Sequence, residues 1–506
     1  MSRLTPATPI DASAVDVTDR FDGTRVGVDD ALARRLADAC DSVSTLDEDR
    51  AEAGRDWWPL AIGWAAAGAV PSRPALVARP TDTAQVSAVL SLCDAERVPV
   101  TPAGGRSGVC GASIPLFGGV ALDLCGLAGI GDVDETSLVA DLRAGTFGPD
   151  VESGLRGDHG MTLGHWPQSM ELSTVGGWLA CRGAGQYSNR YGKIEDMVLG
   201  LQVVLADGRV VHTGGRGPRS ATGPDLTQLF VGSEGTLGVI TEGRFRIHPV
   251  PTGEGRRVFG FASFADGLDA CRRILRRGAS PAVLRLYDTT ESARSFDEPT
   301  TNILVVLDEA DPALVTATLD VVDQECDVAD VLDLGHVDRW LAHRNDVSAL
   351  APLWRSGVVV DTAEVSGRWS ALPDLYRTVV DGLTGIPGTL VASSHQSHAY
   401  TDGACLYFTF AGRPPEDVAA DPATRDAWVG DYYRRAWDEV SRATLAAGGA
   451  LSHHHGIGLN RGRFLAEGLG PAFAVLASVK EVLDPRGILN PGKLGLSNPF
   501  GPVPWP

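Results

Sequence analysis

Gly232-Ser-Glu-Gly-Thr-Leu-Gly-Val-Ile-Thr241 decides how this chain is read, because it does not stand alone. Upstream lie Pro102-Ala-Gly-Gly-Arg-Ser-Gly-Val-Cys-Gly111, Ser173-Thr-Val-Gly-Gly-Trp178 and Tyr191-Gly-Lys-Ile-Glu-Asp196. Glycine has no Cβ, so backbone N–H groups can come close to a ligand. Successive N–H groups in such a loop form a nest for an anion such as a pyrophosphate. With 60 glycines in 506 residues, one such loop reads equally well as a turn. Several, each beside a β-rich apolar run, point to a large phosphate-bearing cofactor.

The chain is long enough for two or three domains, and its 43% hydrophobic content supports full cores. A formal charge of −20 repels phosphate backbones, so nucleic acid is not an expected partner. Lysine supplies only Lys193, Lys480 and Lys493 of the 44 basic residues, as GC-rich coding would; adaptation to salt is the alternative. None of the eight cysteines forms a C-x-x-C pair, which suits reduced, buried thiols in a cytoplasmic protein. Met1-Ser-Arg-Leu-Thr-Pro6 lacks the apolar core of a secretory signal. No run reaches the ~18 apolar residues of a membrane span.

The punctuation divides the chain into a helical leader (1–70), a cofactor domain (71–250), a substrate domain (251–425) and a C-terminal helical segment (426–506). Trp57, Trp58 and Trp64 of the leader are expected to be buried against the next domain. The periodicity predicts helices over 83–96, 150–159, 267–277, 312–325, 424–447 and 472–483. Strands are expected near 75–78, 98–101, 120–124, 138–142, 199–205, 210–213, 257–261, 282–287 and 302–307. The alternation beyond Pro249-Val-Pro251 suggests a second α/β domain.

Three groups could carry chemistry. His453-His454-His455-Gly456-Ile457-Gly458 can turn several imidazoles toward one point around its glycines. Catalysis and a structural role are the main alternatives, since imidazole titrates near neutrality. A metal site is a third, although such sites usually spread their ligands and no acidic residue adjoins the trio. In Ala404-Cys-Leu-Tyr-Phe-Thr-Phe410, residues Cys405, Tyr407 and Thr409 share one strand face. Tyr407 there is a candidate general acid or base, or plain core. Arg285, within Leu284-Arg-Leu-Tyr-Asp288, needs an anionic partner, either a substrate or a nearby carboxylate.

Taken together, these residues resemble the flavoprotein superfamily of vanillyl-alcohol oxidase and p-cresol methylhydroxylase. Within it they are most similar to the alkyldihydroxyacetonephosphate synthase (alkylglycerone-phosphate synthase) subgroup. The resemblance rests on the loops above and on Gly217-Pro-Arg219, Pro281-Ala282 with Arg285-Leu286, Gly403-Ala-Cys405, Leu451-Ser-His-His-His-Gly456 and Ser478-Val-Lys-Glu481. It spans about 71–494 and is weaker between 289 and 394.

The resemblance implies an α+β protein. A two-subdomain FAD-binding domain of the p-cresol methylhydroxylase type carries an α/β cap built on an antiparallel sheet, and C-terminal helices return to the FAD domain. FAD is expected to be noncovalent, because the first loop holds no histidine. Pro102, Ala103, Gly104, Gly105, Arg106, Ser107 and Gly108 would cradle the pyrophosphate, with Arg106 standing where the family usually has glycine. Pro167, Ser169, Ser173, Thr174, Gly176, Gly177, Ala180, Asn189, Tyr191 and Gly192 would pass along the rest of the cofactor, with Glu234, Gly235, Gly238, Val239 and Ile240.

The related glycolate, D-lactate and 2-hydroxyglutarate dehydrogenases hold a metal through two histidines seven apart and a glutamate. Here Tyr400, Tyr407 and His454 stand in similar places, so no metal is expected. The implied reaction exchanges the acyl group of acyl-dihydroxyacetone phosphate for a long-chain alcohol, through an adduct on flavin N5. Tyr407 would move the proton, His453, His454 and His455 would complete the acid–base site, and Arg285 would clamp the phosphate. The alternative from another class is an FAD-dependent oxidoreductase acting on an alcohol or 2-hydroxy acid. Either takes a small-molecule or lipid substrate bearing a phosphate or carboxylate. Peripheral membrane contact and a homodimer are compatible with both.

Overall fold

The computed structural model describes residues 17–505 apart from 216 and 349, so the first residues of the leader lie outside it. Three sheets organise the chain. The first is four-stranded, in the order Ser42–Ser44, Leu76–Arg79, Val120–Asp123, Val100–Ala103. Its last three strands are parallel, and the leader strand adds antiparallel at the edge. Helix Thr83–Glu96 covers it, starting where the Asp82 side chain accepts from the Gln85 N–H. The second sheet is five-stranded and antiparallel, in the order Val210–Gly214, Val198–Val204, Val239–Arg246, Val139–Arg143, Ile130–Asp134.

The third sheet is a cap of seven strands. They run Asp330–Val331, Gly253–Phe261, Asn302–Ala310, Val283–Tyr287, Thr389–Ala399, Gly403–Gly412, Val359–Arg368. Every neighbouring pair is antiparallel, as expected for an α/β cap built on an antiparallel sheet. Helices Phe264–Arg276 and Pro312–Glu325 each join two strands that run parallel to each other with an antiparallel strand between them, which gives the strand–helix alternation.

The period of two along these strands divides the cap. Leu284, Leu286, Leu406, Phe408 and Phe410 pack under helices Phe264–Arg276, Leu372–Thr384 and Pro422–Ala446. Arg285, Tyr287, Tyr407 and Thr409 line a cavity on the opposite face. Trp57, Trp58 and Trp64 are buried in this cap core, where Trp58 Nε1 donates to Tyr433 OH at 2.7 Å. The chain then returns to the FAD side. Val100 N donates to Ile488 O, Asn490 N to Val100 O, and buried Lys480 Nζ to Thr236 O and Leu489 O. Among the described residues no helix is long and apolar enough to cross a membrane.

Candidate active site

A cavity of about 820 Å³ lies between the two glycine-rich sheets and the cap. All seven residues Pro102 to Gly108 line it. So do Pro167, Ser169, Ser173, Thr174, Gly176, Gly177, Ala180, Glu234, Gly235, Gly238, Val239 and Ile240. Asn189, Tyr191 and Gly192 lie outside that lining, and the first two reach across to the cap. Asn189 Oδ1 accepts from Ala399 N at 2.9 Å, and Tyr191 OH donates to Glu309 at 2.7 Å. Between them Arg190 makes a two-pronged ion pair with buried Asp308.

The residues present fit FAD. A Cβ on Gly104 would stand 2.2 Å from Thr174 Oγ1, and one on Gly235 would stand 2.4 Å from Pro102 Cγ, so the backbone there approaches as only glycine allows. Arg106 has φ +53, the left-handed conformation that favours glycine. Its guanidinium faces the cavity with Nε and Nη2 buried and unbonded, and its nearest carboxylate, Asp123, is 3.5 Å away. Unsatisfied buried donors beside an N–H nest suit a pyrophosphate.

The histidine trio is held by a residue that its own neighbourhood does not reveal. Glu364, fully buried on strand Val359–Arg368, accepts the backbone N–H groups of His453, His454 and His455. Its carboxylate also takes the Ser452 hydroxyl at 2.8 Å and pairs with buried Arg461 at 3.0 Å. Glu234, from the glycine-rich FAD side, accepts from Ile457 N and Gly458 N at 2.6 and 2.8 Å. Two carboxylates thus grip one irregular loop from opposite domains. Arg461 and the histidines hold the Glu364 carboxyl well below the usual range against its burial.

The loop turns His454 and His455 into the cavity, whereas His453 stands behind them. His453 bonds Tyr400 OH through Nε2 at 2.9 Å and His454 through Nδ1 at 3.0 Å. Burial pushes His453 and His454 down to about 3 and His455 to about 4, so all three are neutral at pH 7. His398, His453 and His454 bring one nitrogen each within 4.8 Å of one another, as do the ligand atoms of Glu364, Cys405 and His454.

Tyr407 stacks on His395 with centroids 4.8 Å apart and meets His455 edge-on at 5.4 Å. Thr362 Oγ1 donates to its phenol oxygen at 3.0 Å, leaving the phenol's own proton free. Burial pushes the Tyr407 phenol up, so it is protonated at pH 7. Arg285 bonds Tyr287 OH through Nε at 3.0 Å and His395 Nε2 through Nη2 at 2.8 Å. Asp288 instead takes the N–H groups of Glu291 and Ser394. Among the described residues Arg285 has no carboxylate within 4.0 Å.

Sequence reasoning passed over three further lining residues. Arg344 lies over Trp166, Tyr187 and Trp340 at 5.8, 5.1 and 5.6 Å. Its Nη1 is buried and unbonded, and it too makes no ion pair among the described residues. His165 is fully buried with both nitrogens unbonded, 4.6 Å from the Trp178 ring. Trp57 opens an apolar wall continued by Val109, Leu172, Val347, Leu350 and Val360. A histidine and an arginine in an irregular segment carry no periodic signal; Gly164-His165-Trp166-Pro167 offered only its place beside a predicted cofactor loop.

Comparison with known proteins agrees with this geometry. Residues 74–214 match the FAD binding domain family, and residues 256–494 match the C-terminal domain of FAD linked oxidases. An uncharacterized FAD-linked oxidoreductase of Escherichia coli (strain K12) is 30% identical over 83% of this chain and 89% of its own. Alkyldihydroxyacetonephosphate synthase of Dictyostelium discoideum is 29% identical over 84% of this chain and 74% of its own. A solved alkyldihydroxyacetonephosphate synthase superposes with a TM-score of 0.75 at 25% identity, covering 93% of this chain and 87% of that one. The chain belongs to the FAD-linked oxidase family of flavoenzymes, within the vanillyl-alcohol oxidase and p-cresol methylhydroxylase superfamily, and FAD is its cofactor.

Proposed function

We propose that this enzyme exchanges the acyl group of an acyl-dihydroxyacetone phosphate for a long-chain alcohol, in the manner of an alkylglycerone-phosphate synthase in ether lipid synthesis. One observation carries the reading. A single cavity joins two arginines, neither with a carboxylate partner among the described residues, to an apolar wall, with a phenol and neutral imidazoles in the same lining. An anionic head and a long hydrocarbon chain match those two ends.

Bound FAD supplies the nucleophilic N5 chemistry. Arg285 and Arg344 hold the phosphate and orient the three-carbon unit. His454 and His455, neutral at pH 7, accept the proton that the substrate carbon gives up and return it to that carbon once the alcohol has added. Tyr407 donates its phenolic proton to the departing carboxylate and recovers one from the incoming alcohol. Trp57, Val109, Leu172, Val347 and Leu350 take the chain and keep water from the reacting carbon.

The relative named as an oxidoreductase supports a second reading, oxidation of an alcohol or 2-hydroxy acid with the same imidazoles as base. The discriminating experiment adds palmitoyl-dihydroxyacetone phosphate and hexadecanol to the yellow holoenzyme and follows products by mass spectrometry. Palmitate release with alkyl-dihydroxyacetone phosphate and no net flavin reduction is the transferase result. Absence of both products, with anaerobic bleaching by a hydroxy acid, sinks it in favour of the oxidoreductase.

A further inference from the structure

We propose that Glu291 and His395 are positioning residues that hold the Arg285 guanidinium ready for a substrate anion without neutralising it. The inference rests on the reading of Arg285 as an anion-binding group and explains how its charge stays available.

A guanidinium only donates hydrogen bonds. His395 Nε2, 2.8 Å from Arg285 Nη2, must therefore be an unprotonated acceptor. The ring proton then sits on Nδ1 and points at Glu291 Oε2, 3.0 Å away. Glu291 is held from several sides. Ser393 and Thr409 donate to its Oε1 at 3.0 and 2.8 Å, Arg294 pairs with the same oxygen at 3.0 Å, and it sits in the first turn of helix Thr289–Phe296. It is 2% exposed, and His395 is 7% exposed. Carboxylate, imidazole and guanidinium thus form one chain across the cap sheet.

That chain puts a ring between the two charges. A carboxylate bonded directly to Arg285 would cancel the field that a phosphate must feel. The imidazole instead passes on the orientation while presenting a neutral acceptor, and Tyr287 OH presents a second one to Nε. The remaining N–H groups of Arg285 are left for substrate. The same ring is the plate on which Tyr407 stacks, with 21° between the planes, so one histidine sets both the anion clamp and the proton-moving phenol.

The test measures binding of inorganic phosphate to the FAD-loaded holoenzyme by calorimetry at low ionic strength, with the pyrophosphate loop already filled by cofactor. Four variants are compared with the wild type: Arg285→Ala, His395→Leu, His395→Gln and Glu291→Gln. Losing an oriented, charge-assisted bond weakens binding by at least about tenfold. Kd should rise by that much in His395→Leu and Glu291→Gln. His395→Gln, which keeps an oxygen acceptor toward Arg285, should stay within about threefold of wild type. If His395→Leu does not fold, Glu291→Gln and His395→Gln decide between them. Wild-type affinity in Glu291→Gln overturns the proposal, and so does a loss in His395→Gln as large as that in His395→Leu. If wild type and Arg285→Ala bind phosphate equally, the anion-binding reading of Arg285 itself fails, and the proposal falls with it.

Discussion

Replacing Glu364 by glutamine should release the histidine loop without emptying the flavin site. The carboxylate accepts three consecutive backbone N–H groups and the Ser452 hydroxyl, and it neutralises Arg461, all out of water. Glutamine keeps the shape and one oxygen, but it turns an NH₂ toward backbone donors and leaves Arg461 without its counter-ion. Removing one member of a buried pair costs about 3–5 kcal/mol. At about 1.4 kcal/mol per tenfold, local opening of the loop should become roughly 10² to 10⁴ times more frequent. Amide hydrogen exchange followed by mass spectrometry reads this directly in peptides covering 452–458. The peptide over 102–108 is the internal control and should exchange as in wild type with FAD bound. Turnover should fall with the loop while flavin content holds. Unchanged protection across 452–458 would refute the argument that Glu364 holds the trio in place.

Four further outcomes follow from the same geometry. Tyr407→Phe removes the phenolic proton and should lower turnover by about 10²–10⁴ with FAD retained; activity near wild type would dismiss the phenol. Arg285→Ala should abolish turnover with FAD retained, and Arg344→Ala should raise KM for the phosphate-bearing substrate by at least about tenfold; a KM unchanged in Arg344→Ala would remove that residue from the clamp. His454 is held near 3 by burial, whereas an unfolded histidine titrates near 6.5, so the unfolded chain takes up more protons as pH falls through that window. The stability His454 contributes is therefore present above about pH 6.5 and lost below it. On going from pH 7.5 to 5 the thermal midpoint of wild type should fall more than that of His454→Gln, and parallel curves would contradict the burial argument. Each methylene removed from the alcohol should cost about 0.8 kcal/mol, close to fourfold in kcat/KM, while the chain still lies on the apolar wall; no dependence on chain length would rule out that wall as its site.

Much of the fold was legible because local signals sufficed. Helix Thr83–Glu96 follows an Asp82 cap, helix Pro312–Glu325 has proline in its first turn after Asp311, and helix Ala472–Leu483 starts directly after Gly470-Pro471. The split of Gly403–Gly412 into an aromatic face and a Cys405, Tyr407, Thr409 face was legible from alternation alone. Strands Val359–Arg368 and Thr389–Ala399 were not. They carry Asp361, Glu364, Ser393, Ser394, His395, Gln396, Ser397 and His398, all buried, so polar residues fall on both of their faces. A strand whose buried positions are polar has no hydrophobic period to detect. Glu364 meets the histidine trio across some 90 residues of chain, which no local pattern reports. The segment 189–192, expected along the cofactor from the family resemblance, lies outside the cavity lining, and its Asn189 and Tyr191 side chains contact the cap.

The distribution of charge gives these pieces a common logic. The chain carries a formal charge of −20, so long-range forces oppose any anionic ligand. The cavity reverses that sign locally. Arg285 and Arg344 face it with no carboxylate partner among the described residues, and Arg106 faces it with Asp123 no nearer than 3.5 Å. Arg106 accepts a left-handed backbone, at a cost of about 1–2 kcal/mol, while its guanidinium faces the cavity. Three guanidiniums in a low-dielectric enclosure act far more strongly on a bound anion than the exposed carboxylates do through water, where charges are screened within about 10 Å. An anion that reaches the mouth is therefore held by short-range terms that salt weakens little, while polyanions too large to enter meet only the acidic exterior. Added salt should speed substrate capture by screening the surface, and it should leave retention inside the cavity nearly unchanged.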